Sequence, residues 1–159
     1  MKKLFTVSAI ILVVLSLAAC DPAHYYYDYE DLKSDVISIE LINYNNPDVK
    51  ELFEKRDKVI SFDIEKMEIM ETLSDESFND FLLYFSKILF LEYWRHADSP
   101  NGTCVRIVYE DGDFEIVTHE VVYAGRFDAE GNVKKFIGGL SGKASFVSLV
   151  NNFFETKIT

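Results

Sequence analysis

The run VRIVYEDGDFEIV, Val105 to Val117, constrains the fold more than any other stretch of the chain. Two segments rich in β-branched and aromatic residues flank Asp111-Gly112, and Asp-Gly is a strong short-range hairpin signal because glycine takes positive φ at no steric cost. Read as a two-residue turn, it predicts Tyr109 opposite Phe114, Ile107 opposite Ile116 and Val105 opposite Thr118, which makes one face mostly apolar. Arg106 and Glu115 then lie diagonally on the other face as a weak pair, and Glu110 meets Asp113 as a mildly costly like-charge pair. The acidic EDGD cluster lacks the spacing of a hard-cation loop, which spreads its oxygen ligands over about a dozen residues. The turn accounts for it, and no metal site is expected.

The same logic extends along the chain. VVYAGRFDAEGNVKKFIG predicts a second hairpin, with Asp128 opening the turn and Gly131 in the left-handed position of a bulge. VISIELINY alternates, with Ile37, Ile39 and Leu41 on one face, and predicts a strand. NNPDVKELF offers Asn46 as cap and Pro47 at the first helical position, and predicts a short helix. KVISFDIEKMEIMETL suggests one or two strands, with helix the open alternative.

In LSDESFNDFLLYFSKI, Ser74 can cap a helix whose positive end is met by Asp75 and Glu76, while Phe78, Phe81, Leu82 and Phe85 fall on one stripe. LFLEYW predicts a strand leading into the polar loop RHADSPNG. A last helix puts Phe146, Leu149, Val150 and Phe153 at helical spacing. These elements predict an α+β fold: an antiparallel meander sheet with helices packed on one face.

The amino-terminal end has a different grammar. Lys2 and Lys3 precede an uncharged apolar run from Leu4 to Ala19, the order of a secretory signal. As a helix that run reaches only about 24 Å, short of a hydrocarbon core of roughly 30 Å, which argues against a permanent span.

Leu17-Ala18-Ala19-Cys20 resembles the lipobox of bacterial lipoproteins. The resemblance implies cleavage before Cys20, a diacylglyceryl group on its thiol and acylation of the new amino terminus. It also implies a chain anchored in the bacterial cell membrane and facing outside the cytoplasm. Two acyl chains suffice for stable anchoring where one is marginal, at about 0.8 kcal/mol per buried CH₂. In an envelope with two membranes, Asp21 would resemble the signal for retention at the inner one.

The organisation expected is a signal peptide over 1–19, a lipidated cysteine with an acidic, tyrosine-rich tether over 20–33, and a single domain over 34–159. Tyrosines are unusual in a linker and suit either a membrane interface or packing on the domain.

Charge narrows the partners. Loss of Lys2 and Lys3 with residues 1–19 takes the formal charge from −11 to −13. Such a field repels phosphate backbones and anionic headgroups, so no nucleic-acid partner is expected; it suits a tethered domain kept soluble and off the membrane surface, with cationic partners open. With Cys20 alkylated, Cys104 has no partner for an intramolecular disulfide, and its strand-like surroundings suit a small buried hydrophobe.

The chain carries no glycine-rich phosphate loop, GxSxG, HExxH or CxxC, and no cofactor is implied. Acidic residues are too abundant for any carboxylate pair to be singled out. A ligand loop is sought first at Trp94, Arg95, His96 and Asp98, which gather aromatic, cationic and acidic groups near Pro100 and Gly102.

Two function classes follow. The first is a membrane-anchored, non-enzymatic binding or accessory module for an envelope protein or small ligand; an acidic inhibitor or immunity lipoprotein that caps a basic enzyme stands as a third possibility beside the two. The second is a small envelope hydrolase or thiol enzyme using His96, Asp98 and Cys104, which requires an accessible thiol.

Overall fold

A computed structural model describes residues 24–46, 62–91, 102–118, 124–140 and 143–159. Strands β5 (Gly102–Tyr109) and β6 (Phe114–Thr118) form the expected hairpin in a register one residue away from that of a two-residue turn. Val105 lies opposite Val117, Ile107 opposite Glu115 and Val108 opposite Phe114. The Tyr109 N–H donates to the Asp113 carbonyl at 2.9 Å and the Gly112 N–H to the Tyr109 carbonyl at 3.0 Å. The connection is therefore the three-residue loop Glu110-Asp111-Gly112, with Gly112 at φ 85°. Asp111 reinforces it by accepting the Asp113 N–H at 3.0 Å. In consequence Arg106 and Glu115 occupy opposite faces of the sheet, and Asp113 faces Tyr109 rather than Glu110.

The second hairpin has the anticipated form. β7 (Ala124–Phe127) and β8 (Val133–Leu140) are joined through an Asp128 N–H to Asn132 carbonyl bond and a Gly131 N–H to Asp128 carbonyl bond, each 2.9 Å. Gly131 sits at φ 88°, the place Gly112 takes in the first hairpin. The side-chain amide and backbone N–H of Asn132 both donate to the Asp128 carboxylate and hold its pKa below the ordinary value.

β2 (Val36–Tyr44) pairs with β5 on one side and with β3 (Met67–Thr72) on the other. A single 3₁₀ turn, Ile64–Lys66, precedes β3, which supplies one of the one or two strands expected here, while residues 58–61 lie outside the described residues. Two-residue strands β1 (His24–Tyr25) and β4 (Phe90–Leu91) extend the sheet beyond β8. The full order is β1-β4-β8-β7-β6-β5-β2-β3, every pair antiparallel. β5 to β8 are successive neighbours, a meander. With α1 (Tyr29–Asp35), α2 (Asp75–Phe85) and α3 (Lys143–Phe153), this is an α+β fold with helices packed on one face.

Two expectations change. Ile37 does not share the inner face of β2 with Ile39 and Leu41, because a bulge between Val36 and Ser38 turns it outward, 58 % exposed. The stretch read as a tether is folded from His24 onward. Tyr27 is buried between Phe85 and Phe90, with ring centroids at 4.8 and 5.2 Å, and Leu32 of α1 is buried beside it. Asp28 caps α1 by accepting the N–H groups of Glu30 and Asp31. The helix expected at Pro47 lies outside the described residues.

Two apolar clusters lie on opposite faces of the sheet. On the helical face, Ile39, Leu41, Val105, Ile107 and Val117 meet Phe81, Leu82 and Phe85 of α2 and Phe146, Leu149 and Val150 of α3. On the other, Ile42, Tyr44, Cys104, Phe114, Ile116 and Phe127 are covered by Phe62, with Ile64, Met67 and Val133 at the margin. The Phe62 ring stacks on Tyr44 at 4.0 Å and meets Phe114 and Phe127 at 5.6 Å each. Among the described residues, a single aromatic side chain on a non-helical segment thus does for this face what two helices do for the other.

Candidate functional site

Cys104 is wholly buried on β5, with Ile42 and Thr118 as its cross-strand neighbours and its Sγ 3.5 Å from the Gly102 carbonyl. A thiol enclosed this way cannot meet a substrate without opening the sheet, so it fits the expected structural role. Cys20, Trp94, Arg95, His96 and Asp98 lie outside the described residues.

The densest polar constellation joins the two hairpins. Arg126 on β7 binds Asp113 through Nε at 2.8 Å and Asp111 through Nη2 at 3.1 Å, and its guanidinium carbon lies 4.0 Å from the Tyr109 ring centroid. Lys134 adds a 2.6 Å bond to the same Asp113 oxygen. Burial alone would raise the Asp113 pKa, but the bonds from Lys134 and Arg126 outweigh it and hold the carboxyl below its ordinary value. An ionised carboxylate already held by two cations is poorly placed as a general acid or base at neutral pH. The cluster therefore acts as a clasp between β6, β7 and β8. Across the sheet, Arg106 binds Glu40 at 3.1 Å and lies over the Phe114 ring, its guanidinium carbon 4.8 Å from the ring centroid, capping the second apolar cluster.

The described residues leave one surface whose chemistry invites a partner. An open depression of about 390 Å³ lies where the β2 bulge meets the amino-terminal turns of α2. Ile37 and Phe78 line it with Leu73, while Ser38, Asp75 and Asn79 supply polar groups. The bulge makes this floor, since it turns an apolar β-strand residue to the outside.

The surrounding charge is one-sided. α2 carries exposed Asp75, Glu76 and Asp80 and no basic residue, and α1, packed beside it, carries Glu30, Asp31 and Asp35 against Lys33. Asp75 and Glu76 also complement the positive end of the α2 dipole, so part of this charge serves the helix itself. Sequence reading missed the depression because an alternating strand gives no sign of where its register will slip. The adjoining Val36-Ile37 pair is the only local signal.

Among the described residues, no three His, Cys, Asp or Glu side chains converge as a metal-ligand set, and no helix is long and apolar enough to cross a membrane. Comparison with protein-family models, with curated proteins and with solved structures finds no match to this chain.

Proposed function

We propose that the chain is a lipid-anchored extracytoplasmic binding or accessory module that receives a cationic protein surface at the depression between β2 and α2. The observation that carries this reading is Ile37: a large β-branched side chain 58 % exposed on the floor of a depression with Asp75 in its lining. An apolar contact beside acidic groups suits a partner segment that combines an aliphatic residue with Lys or Arg, the hydrophobic part supplying affinity and the charge supplying approach rate and register. The lipobox at Leu17-Ala18-Ala19-Cys20 supports the anchor. Burial of Cys104 weighs against the thiol-enzyme reading.

The test places a photo-crosslinking residue at Ile37 of the intact lipoprotein in its native membrane, with the same residue at exposed Glu65, beside the far end of β2, as the remote control. The expected result is one discrete adduct from position 37, weakened by 0.5 M salt and by combined Asp75→Asn, Glu76→Gln and Asp80→Asn changes. Equal or absent adducts at both positions would overturn the assignment. Mass spectrometry of the mature amino terminus tests the anchor separately.

A further inference from the structure

Residue count places the anchor against the fold. Three residues lie between Cys20 and His24, the first residue of β1, and a fully extended chain covers at most about 14 Å over those four Cα–Cα steps. Beyond His24 there is no slack. β1 is paired to β4 through His24–Leu91 and Tyr25–Phe90, Tyr27 is fixed between Phe85 and Phe90, and α1 begins at Tyr29 on its Asp28 cap. The attachment point is thus the outermost strand of the described sheet, whose other edge, β3, lies seven strand spacings away.

We propose that the β1–β4 edge is a membrane-apposed surface whose partner is the headgroup layer of the bilayer that holds the Cys20 lipid; this rests on the lipid-anchor reading above. Tyr26, 57 % exposed between β1 and the buried Tyr27, is the residue that meets the interface, where a ring with one polar end is favoured. The exposed acids of α1, Glu30 and Asp31, follow at once and are repelled by anionic headgroups, so they keep the helix above the surface rather than in it. The depression lies close by: Tyr27 touches Phe85 at 4.8 Å, and Phe78 in the depression is seven residues earlier on α2, about 10 Å along its axis, so a partner there docks near the membrane.

Site-directed labelling tests this directly, because with Cys20 alkylated and Cys104 buried an added cysteine is the sole reactive thiol. Full-length lipidated protein carrying Tyr26→Cys or Ile69→Cys is labelled with a fluorophore and reconstituted into phosphatidylcholine vesicles containing shallow nitroxide-labelled lipid. Both positions are exposed, so neither change disturbs a core. The expected result is quenching at position 26 at least three-fold greater than at position 69, lost when twelve Gly/Ser residues are inserted between Ala23 and His24. Equal quenching at the two positions overturns the orientation while leaving the anchor intact. A mature amino terminus without lipid by mass spectrometry overturns the anchor and the orientation together.

Discussion

The Phe62 N–H donates to the Gly131 carbonyl at 2.6 Å, so the aromatic cover of one sheet face is bolted to the tip of the β7–β8 hairpin. The approach is close enough that a Cβ on Gly131 would fall 2.0 Å from the Phe62 carbonyl oxygen. Gly112 has the same role in its own hairpin, φ 85° against 88°, yet a Cβ there would meet nothing nearer than Ala129 at 3.6 Å.

The two glycines therefore separate backbone strain from backbone collision. Gly112→Ala is expected to cost about 1 kcal/mol, the ordinary penalty for a non-glycine residue in the left-handed region. Gly131→Ala adds a displaced Phe62 and is expected to cost about 3 kcal/mol or more. Urea denaturation midpoints of the two variants check this, and equal losses would mean that Phe62 is not held by the hairpin.

Phe62→Ala removes the ring that touches Tyr44, Phe114 and Phe127 and is expected to cost about 3–5 kcal/mol, as for other buried Phe→Ala changes. Because the Tyr44 hydroxyl accepts the neighbouring Asp63 N–H at 3.0 Å, Tyr44→Phe should loosen the same segment by about 1 kcal/mol. Measured alone and together, the two changes should fall short of additivity, since both act on one contact.

The elements legible in the sequence are those fixed by local chemistry. Gly131 falls where a left-handed residue is needed, and the Phe81-Leu82-Phe85 stripe has a single buried side, so the second hairpin and α2 form as expected. The first hairpin shows the limit. Its register is chosen between two alternatives one residue apart, and alternation decides that choice only when one face is wet.

β6 is buried at every position, Phe114 and Ile116 against the Phe62 side and Glu115 and Val117 on the helical side, so either register buries apolar groups. What selects between them is the Asp111 carboxylate closing a three-residue loop, together with the Arg126 clasp on Asp113. The candidate site was less legible still. It rests on a bulge at Ile37, set by pairing to a strand more than sixty residues away. Likewise only Tyr27 and Leu32 mark the segment after His24 as folded, and each is one apolar residue in an acidic run.

The clasp has a pH signature. Asp113 has its folded pKa depressed below its ordinary 3.8. Its contribution is therefore fully present above the unfolded value and is lost as pH falls through the folded one. Glu71 behaves alike: burial would raise it, but the Glu155 and Thr156 N–H groups donate to it at 2.7 and 3.0 Å and hold it below 4.5. Stability is expected to be flat above about pH 5 and to decline below it. Asp113→Asn should cost about 1–2 kcal/mol at pH 7, at the low end for a charged bond because Arg126 and Lys134 are partly solvated, and should reduce the acid slope. Denaturation midpoints between pH 7 and 3 measure both effects, and a slope unchanged by the substitution would remove Asp113 as a source of acid sensitivity.

Cys104 gives the sharpest division between the two function classes. Its side chain is enclosed by Ile42, Thr118 and the second apolar cluster. Reaction with a thiol reagent must therefore wait for the β2–β5–β6 ladder to open, which links the labelling rate to unfolding rather than to thiol acidity. The folded protein is expected to resist modification for hours at pH 7 and to react fully in concentrated urea, and Gly131→Ala should accelerate native-state labelling in proportion to its loss of stability. Rapid, stoichiometric modification of the folded chain at neutral pH, unaffected by Gly131→Ala, would instead mean a reachable ionised sulfur, and the case for a thiol enzyme would return.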